Sequence, residues 1–155
     1  MEASITFKAV GKTIGKKILL ADLSFGVEKG STFVLIGENG AGKSIILKLL
    51  VGLIEKDTGS VYIHGKDINT RSAETRSICG YMPQTINLDD ELTIMENLSV
   101  YGQLHGLTSV KATNNTLHWA NILGFTQFLK KYPDNLAYGF KRKVLFARAL
   151  VHDPE

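Results

Sequence analysis

The sequence predicts an α/β fold in which strands alternate with helices in the first half and helices dominate the second. Residues 4–10 (SITFKAV) and 21–27 (ADLSFGV) alternate polar and apolar side chains, which is typical of half-buried strands. Residues 32–36 (TFVLI) are continuously apolar and rich in β-formers, as expected of a strand buried on both faces. A glycine-rich loop follows this run, and an apolar core helix is predicted over residues 44–54.

Two further strands are expected before the chain becomes helical. Residues 59–68 (GSVYIHGKDI) return to strand alternation, with a turn at residues 65–67. Residues 78–84 (ICGYMPQ) begin as another short buried strand.

The rest of the chain has helical signals. Thr93 and Glu96 predict a capping box at the start of a helix that Gly106 can close. We expect the later elements to be a second helix over 109–124, a short third helix over 125–132, a turn at 133–135 and a last helix over 140–151.

Composition limits the possible classes of protein. The chain has 155 residues, of which 44% are hydrophobic, enough for one domain with a sizeable core. A net charge of only +3 predicts no nucleic-acid partner. The single cysteine, Cys79, cannot form an internal disulfide, so a reducing cytoplasm is the expected location. The longest apolar stretch, residues 45–54, is too short to span a bilayer, and no signal peptide is recognised.

The strongest motif is GENGAGKS at residues 37–44, a complete match to GxxxxGK[ST]. Its glycines let the backbone N–H groups form an anion nest, to which the helix beginning near Lys43 adds its dipole. Lys43 would reach the β- and γ-phosphates of a nucleotide, and Ser44 would offer its hydroxyl to Mg²⁺. A ligand-free glycine-rich turn is the alternative. The predicted nucleotide-binding residues of this loop are Gly37, Glu38, Asn39, Gly40, Ala41, Gly42, Lys43, Ser44 and Ile45.

The loop alone indicates a P-loop nucleotide phosphatase or kinase. The flanking sequence indicates which family within this class the chain resembles. Residues 25–68 resemble the ATP-binding subunit of an ABC transporter. GYMPQ (80–84) resembles the Q-loop of that family, and residues 88–107 (LDDELTIMENLSVYGQLHGL) resemble its helical subdomain. Residues 136–155 (LAYGFKRKVLFARALVHDPE) resemble its signature loop, signature helix and following loop. The motifs stand in family order over essentially the whole chain.

This resemblance implies the fold and the cofactors. The expected fold is a P-loop NTPase core with an antiparallel β subdomain and a helical subdomain, and the expected cofactors are ATP and Mg²⁺. The implied division is residues 1–86 for the β subdomain and P-loop core, 87–135 for the helical subdomain, and 136–155 for the signature loop and helix.

The resemblance also assigns roles outside the P-loop. Gln84 would ligate Mg²⁺ and sense the γ-phosphate, although it could instead be an ordinary polar loop residue after Pro83. Ile14, in KTIGKK, stands where the family usually carries an aromatic residue that stacks on adenine, so we expect loose binding of the base. Phe7 is a possible substitute.

The signature loop departs most from the family pattern. The sequence has Leu136-Ala137-Tyr138-Gly139-Phe140 in place of LSGGQ. In the family this loop contacts the γ-phosphate of ATP bound to the opposite subunit. Ala137 lacks the serine hydroxyl while Gly139 is kept, so the resemblance implies a weakened loop. The basic run at 141–143 is predicted to be the solvated face of the signature helix.

The resemblance further implies that this chain is the N-terminal portion of a longer subunit and ends before the Walker B strand. No catalytic residue is therefore assigned. The expected function is to couple ATP binding and hydrolysis to transport, in the export direction, by a membrane partner. The expected partners are an integral membrane permease subunit and a second ATP-binding subunit in a head-to-tail dimer, at the cytoplasmic face of the membrane. The alternatives are a non-transport ABC ATPase acting in translation or DNA repair, and a fragment that binds nucleotide poorly.

These expectations lead to a first prediction. Phosphoryl transfer to water needs a positioned nucleophile as well as a phosphate cradle. We expect residues 1–155 alone to show no ATP turnover above background when phosphate release is measured on the purified chain. Turnover that Lys43→Ala abolishes would mean that these residues contain a catalytic carboxylate.

Overall fold

The computed structural model describes residues 3–69, 74 and 77–155, and the chain divides into two compact units, residues 1–76 and 77–155. Each unit buries its own set of apolar side chains. The subdomain boundaries expected from the sequence, after residues 86 and 135, stay predictions.

An antiparallel sheet forms most of the first unit. Its strands are β1 (Ala3–Ile14), β2 (Lys17–Glu28), β3 (Thr58–Ile63) and β4 (Lys66–Asp67), and their order across the sheet is β2-β1-β3-β4. Phe7 at the centre of β1 lies opposite Phe25 of β2 and Val61 of β3. The strands expected at 4–10 and 21–27 are thus confirmed, and β1 and β2 are longer than predicted. The strand expected from residue 59 is also confirmed, but its turn lies at residues 64–65 rather than 65–67, and residues 66–67 form β4.

One helix, α1 (Lys43–Leu50), follows the glycine-rich loop. Its inner face buries Ile46 and Leu49, whereas Leu47 is 44% exposed. The prediction that this helix is buried on nearly every side is therefore wrong. Within the first unit, only the face of α1 that carries Ile46 and Leu49 is packed against other residues.

The prediction of a strand at residues 32–36 is also wrong. These residues have no strand hydrogen bonding, and Phe33, Val34 and Ile36 are exposed by 49%, 67% and 91%. A strand exists only where another strand completes its ladder, and none of the described residues does so here. An apolar hollow of about 620 Å³ lies between this run, the sheet and α1, with Phe7, Phe25 and Leu50 among its lining residues.

The second unit is helical. Its helices are α2 (Ile94–Leu104), α3 (Ser109–Ile122) and α4 (Tyr138–Leu150). The capping box is confirmed, since Thr93 Oγ1 accepts from the Glu96 N–H at 3.3 Å and the Glu96 carboxylate accepts from the Thr93 N–H at 2.8 Å. None of the described helices is long and apolar enough to cross a bilayer.

The helix predicted over 125–132 is only a 3₁₀ turn at Thr126–Phe128, whereas the turn predicted at 133–135 is confirmed as the 3₁₀ turn Pro133–Asn135. The expected strand over 78–84 is an extended segment without a ladder among the described residues.

The core of the second unit is closed by apolar side chains from all three helices, including Leu98, Ala120 and Leu145. Asn97 is only 6% exposed, and its amide nitrogen donates to the carbonyls of Asp89, Leu92 and Thr93 at 2.9–3.1 Å. These hydrogen bonds satisfy the buried amide and connect the turn before α2 to the first turn of the helix.

A stack of aromatic and imidazole rings joins the C-terminal ends of α2 and α4. The ring centroids of His105 and His152 are 4.1 Å apart, and His105 is 4.5 Å from Tyr101. His152 Nε2 lies 3.2 Å from the Cys79 carbonyl, while its Nδ1 is buried without a partner among the described residues. Burial lowers the pKa of His152, although the Cys79 carbonyl and Asp153 act in the opposite direction.

This lowered pKa gives a prediction for stability against pH. The unfolded chain takes up a proton at His152 near pH 6.5, before the folded chain does. The contribution of His152 is thus complete above pH 6.5 and is lost as the pH falls towards the lowered value. We expect the free energy of unfolding, from urea titrations at pH 7.5 and 5.5, to fall less in His152→Phe than in wild type. His118→Phe, which removes an exposed imidazole, is the matched control; equal pH dependence in His152→Phe and wild type would contradict the prediction.

Candidate phosphate-binding site

The loop between residues 37 and 44 curls at the start of α1. Gly40 and Gly42 have φ angles of +88° and +86°, in the left-handed region that glycine adopts without strain. A Cβ atom at Gly42 would lie 3.0 Å from Leu20 Cδ2 and 3.1 Å from the Leu19 carbonyl oxygen. The loop packs closely against β2 at this position, so a side chain there would require its neighbours to shift slightly in addition to adopting a left-handed φ.

Lys43 turns back over the loop. Its Nζ donates to the Gly37 and Glu38 carbonyls, both at 2.7 Å. A lysine ammonium has three N–H donors, so these bonds leave one donor for a ligand. The positive charge is consequently held at the loop before any anion arrives.

The helix supplies the remaining donors. Gly42 is the N-cap of α1, and its carbonyl accepts from the N–H groups of Ile45 and Ile46 at 2.9 and 3.0 Å. The first N–H groups of a helix have no intrahelical acceptor and carry its positive dipole end. Ser44 is exposed in the first turn and lines the hollow beside Lys43.

These groups fit a polyphosphate with Mg²⁺. Backbone N–H groups, an ammonium and a helix N-terminus are the donors that phosphates need. The hydroxyl of Ser44 is a hard oxygen ligand of the kind that Mg²⁺ takes, and Mg²⁺ commonly keeps water and phosphate oxygens as its other ligands. Glu38, Asn39 and Ala41 complete the exposed loop.

Ile14 is the last residue of β1. It pairs with Lys17 at the β1–β2 turn, two residues before Leu19, whose carbonyl approaches Gly42. Asp57 anchors this end of β1: its carboxylate accepts from Lys12 Nζ at 2.8 Å and from the Thr13 N–H at 2.6 Å. The Lys12 bond, followed by the Thr13 bond, holds the pKa of Asp57 below its ordinary value.

The proposed substitute for Ile14 as a base platform is not available. Phe7 is 1% exposed and stacks on Phe25 with ring centroids 4.6 Å apart. Ile14 itself is 55% exposed, so its side chain can contact a ligand.

Gln84 belongs to the second unit and is exposed in the segment that follows Pro83. Its backbone carbonyl accepts a hydrogen bond from Arg142 Nη1 at 3.0 Å. No hydrogen-bond partner of its side-chain amide is found in the described part of the chain, so the amide can reach a ligand.

The signature loop forms the N-terminal end of α4. Ala137 is the N-cap and has no side-chain cap, as expected where a serine hydroxyl is absent. Tyr138 is 67% exposed, and a Cβ at Gly139 would meet nothing within 4 Å. Phe140 instead packs edge-on against Phe128, with ring centroids 4.5 Å apart. Three of the four loop positions thus leave the helix N-terminus open to an anion.

The basic run at 141–143 is more engaged than the predicted solvated face. Lys141 Nζ is 3.6 Å from Asp134, and Lys143 Nζ donates to the Leu123 carbonyl at 3.0 Å. Arg142 contacts the backbone of residues 83 and 84. The sequence shows the three charged residues, but it does not show their partners, which lie 7 to 59 residues away.

An antiparallel sheet, a GxxxxGK[ST] loop opening a helix and a separate helical unit define an α/β protein with the P-loop NTPase fold. The chain belongs to the ABC transporter family, whose family model, described as "ABC transporter", matches residues 20–155.

Two curated relatives carry names of ATP-binding proteins. The chain is 34% identical over 146 residues to the linearmycin resistance ATP-binding protein LnrL of Bacillus subtilis (strain 168), covering 94% of this chain and 47% of that protein. It is 36% identical over 157 residues to the Nod factor export ATP-binding protein I of Rhizobium sp. (strain N33), covering 99% and 51%. The chain spans about half the length of the curated relatives it matches.

Solved structures agree with the fold. An ATP-binding subunit of an ABC transporter is 28% identical with a TM-score of 0.86, over 97% of this chain and 62% of that one. A dimeric ATP-binding cassette bound to ADP and Pi is 24% identical with a TM-score of 0.85, over 97% and 70%, and supports the fold alone.

The exposed aliphatic side chain at Ile14 gives a prediction about base selectivity. Without aromatic stacking, ATP and GTP should bind within about tenfold of each other, a difference of roughly 1.4 kcal/mol. Ile14→Tyr should favour ATP, and competition titrations with the two nucleotides measure the change. Ile18→Tyr, at another exposed position of the same hairpin, is the matched control. A much stronger wild-type preference for ATP would show that a different side chain holds the base.

Proposed function

We propose that this chain binds ATP with Mg²⁺ through residues 37–45 and is the ATP-binding part of an ABC transporter of the export type. The observation that carries this proposal is the position of Lys43, whose ammonium is already held by two carbonyls of the loop. A charge fixed in this way needs little reorganisation when a triphosphate binds.

Each group of the loop has a distinct part in binding. The N–H groups at the start of α1 face the phosphate oxygens, and Lys43 compensates the charge of the β- and γ-phosphates. Ser44 would give one oxygen ligand to Mg²⁺. The role of Gln84 as an Mg²⁺ ligand stays a prediction. Bound Mg²⁺ supplies further charge compensation between the β- and γ-phosphates.

The wider assembly is proposed from the relatives. Their names describe an export protein and a resistance protein, and both are called ATP-binding proteins. We assign to the whole protein a membrane permease partner, a second ATP-binding subunit in a head-to-tail dimer, and a location at the cytoplasmic face of the membrane. In that dimer, residues 137–140 would face the nucleotide of the opposite subunit.

A calorimetric titration of ATP with Mg²⁺ tests the binding proposal. Lys43→Ala should weaken binding by at least about tenfold, because losing a hydrogen bond to a charged group costs roughly 1.5–3 kcal/mol. Lys48→Ala is the matched control: Lys48 is an exposed lysine of the same helix, one turn further on, and its replacement should leave the affinity unchanged.

Ser44→Ala separates metal from phosphate contacts. It should weaken ATP binding in the presence of Mg²⁺ and have little effect in EDTA, because the hydroxyl acts through the metal.

Equal affinities of wild type and Lys43→Ala would show that the nucleotide binds elsewhere.

A further inference from the structure

Strand β1 runs on past the end of its neighbour β3. The last β1–β3 pair joins Gly11 to Thr58, which is the first residue of β3. In the described part of the chain, residues 12–14 therefore have β2 on one side and no strand on the other. Backbone groups along such an edge need water or side chains as their hydrogen-bond partners.

Asp57, the residue before β3, takes the place of a strand partner. Its N–H donates to the Gly11 carbonyl at 2.9 Å, and its carboxylate accepts from the Thr13 N–H at 2.6 Å and from Lys12 Nζ at 2.8 Å. An ionised carboxylate has two acceptor oxygens, so it can take both donors. One side chain thus continues the β1–β3 ladder beyond the end of β3.

The main chain that carries Asp57 is itself fixed against β1. Gly59 has a φ of +77°, and a Cβ at this position would lie 2.3 Å from the Ala9 carbonyl oxygen and 2.4 Å from that of Lys8. A Cβ cannot be accommodated so close to backbone atoms, so β3 begins in direct backbone contact with β1. This contact, two residues after Asp57, fixes the distance from which the carboxylate reaches the end of β1.

The opposite edge of β1 faces a bulge at the same place. From Lys12 to Thr13, the partner residue in β2 changes from Leu20 to Ile18, so Leu19 is an extra residue of β2. A β-bulge re-aims the groups around it, and bulges are common next to active sites. The two β1 residues that Asp57 holds are therefore the two that lie opposite the ends of the bulge.

The bulge contacts the glycine-rich loop. The Leu19 carbonyl oxygen and the Leu20 side chain flank Gly42, at 3.1 and 3.0 Å from the position of a Cβ there. Gly42 is the N-cap of α1, and its carbonyl accepts from the N–H groups of Ile45 and Ile46. A shift at the bulge would therefore move the start of α1, and with it the N–H groups that the helix offers to an anion.

We propose that Asp57 is a positioning residue for the glycine-rich loop. By holding Lys12 and Thr13 from the β3 side, it fixes the register of β1 at the bulge, and the bulge in turn fixes Gly42 at the start of α1. The inference rests on the proposed function, since the loop is positioned for the phosphates of a bound nucleotide. All of these contacts lie within the first unit.

The environment of Asp57 determines the size of the expected effect. The Lys12 bond, followed by the Thr13 bond, holds the pKa of Asp57 below its ordinary value, so the carboxylate is charged at neutral pH. Its side chain is 44% exposed, and ion pairs in contact with water contribute little to global stability. We therefore expect replacement of Asp57 to change local order and phosphate binding while the chain still folds.

The variants are chosen to isolate the carboxylate. Asp57→Ala removes both of its bonds. Two conservative variants remove less: Asp57→Asn keeps a side-chain oxygen that can accept from the Thr13 N–H, and Lys12→Met removes the ammonium and leaves that bond. Glu55→Ala is the matched control, because it removes an exposed carboxylate two residues earlier that makes no hydrogen bond or ion pair with the described residues.

The first measurement is amide hydrogen exchange of the chain without nucleotide. Asp57→Ala should speed exchange at residues 18–20, in the bulge, and at residues 45–46, whose N–H groups bond to the N-cap carbonyl. The two conservative variants should do so less, and the control not at all. Unchanged exchange at residues 45–46 would overturn the inference. Faster exchange throughout the sheet would also overturn it, because Asp57 would then only stabilise the fold.

The second measurement compares the affinities for ATP and for inorganic tripolyphosphate, both with Mg²⁺, by calorimetry. Asp57→Ala should weaken both by the same factor of roughly five, which corresponds to one typical hydrogen bond. The conservative variants should lose less, and Glu55→Ala should bind as wild type does. A loss for ATP alone would overturn the inference, since Asp57 would then act on the base rather than on the loop.

The outcomes separate this inference from the proposed function. Binding that Lys43→Ala weakens and Asp57→Ala leaves unchanged overturns the inference alone. Absence of binding of both ATP and tripolyphosphate by the wild-type chain overturns both, since the loop then holds no phosphate for which it could be positioned.

Discussion

The close contact between Gly42 and β2 is the constraint on which the glycine-rich loop at residues 37–44 depends. A Cβ at Gly42 would lie tightly against the Leu19 carbonyl and the Leu20 side chain, and the φ of +86° at this glycine precedes α1, which starts at the next residue. The position of the helix N-terminus and the return of Lys43 over the loop both follow from this contact. β2 can provide it because β1 pairs with β2 along almost its whole length.

In the first unit, sheet hydrogen bonds pair the main chain of the extended segments. In the second unit, side chains bond the main chain of an extended segment instead. Arg142 and Arg148 of α4 satisfy carbonyls of an extended segment that has no ladder of its own. A guanidinium has five N–H donors in a fixed fork, so one side chain can hold neighbouring carbonyls. The conformation of the segment consequently depends strongly on these two side chains.

The features that the sequence predicted are local ones. The capping box needs only Thr93 and Glu96, and the phosphate loop needs only eight consecutive residues, so both could be recognised without tertiary structure. The strand at 32–36 could not be predicted reliably, because a strand depends on neighbours that its own residues do not specify. The hydrogen bond from Arg142 to the Gln84 carbonyl could not be predicted for a similar reason, since 58 residues separate the two.

The exposed apolar run of Phe33, Val34 and Ile36 has a consequence for the heat capacity of the chain. Unfolding raises the heat capacity chiefly by exposing apolar surface, and a domain of this length is expected to gain about 2 kcal/mol/K. Side chains that already face water add little to this gain. The curve of stability against temperature for these 155 residues should consequently be flatter, and its maximum broader, than for a domain of equal length with a closed core.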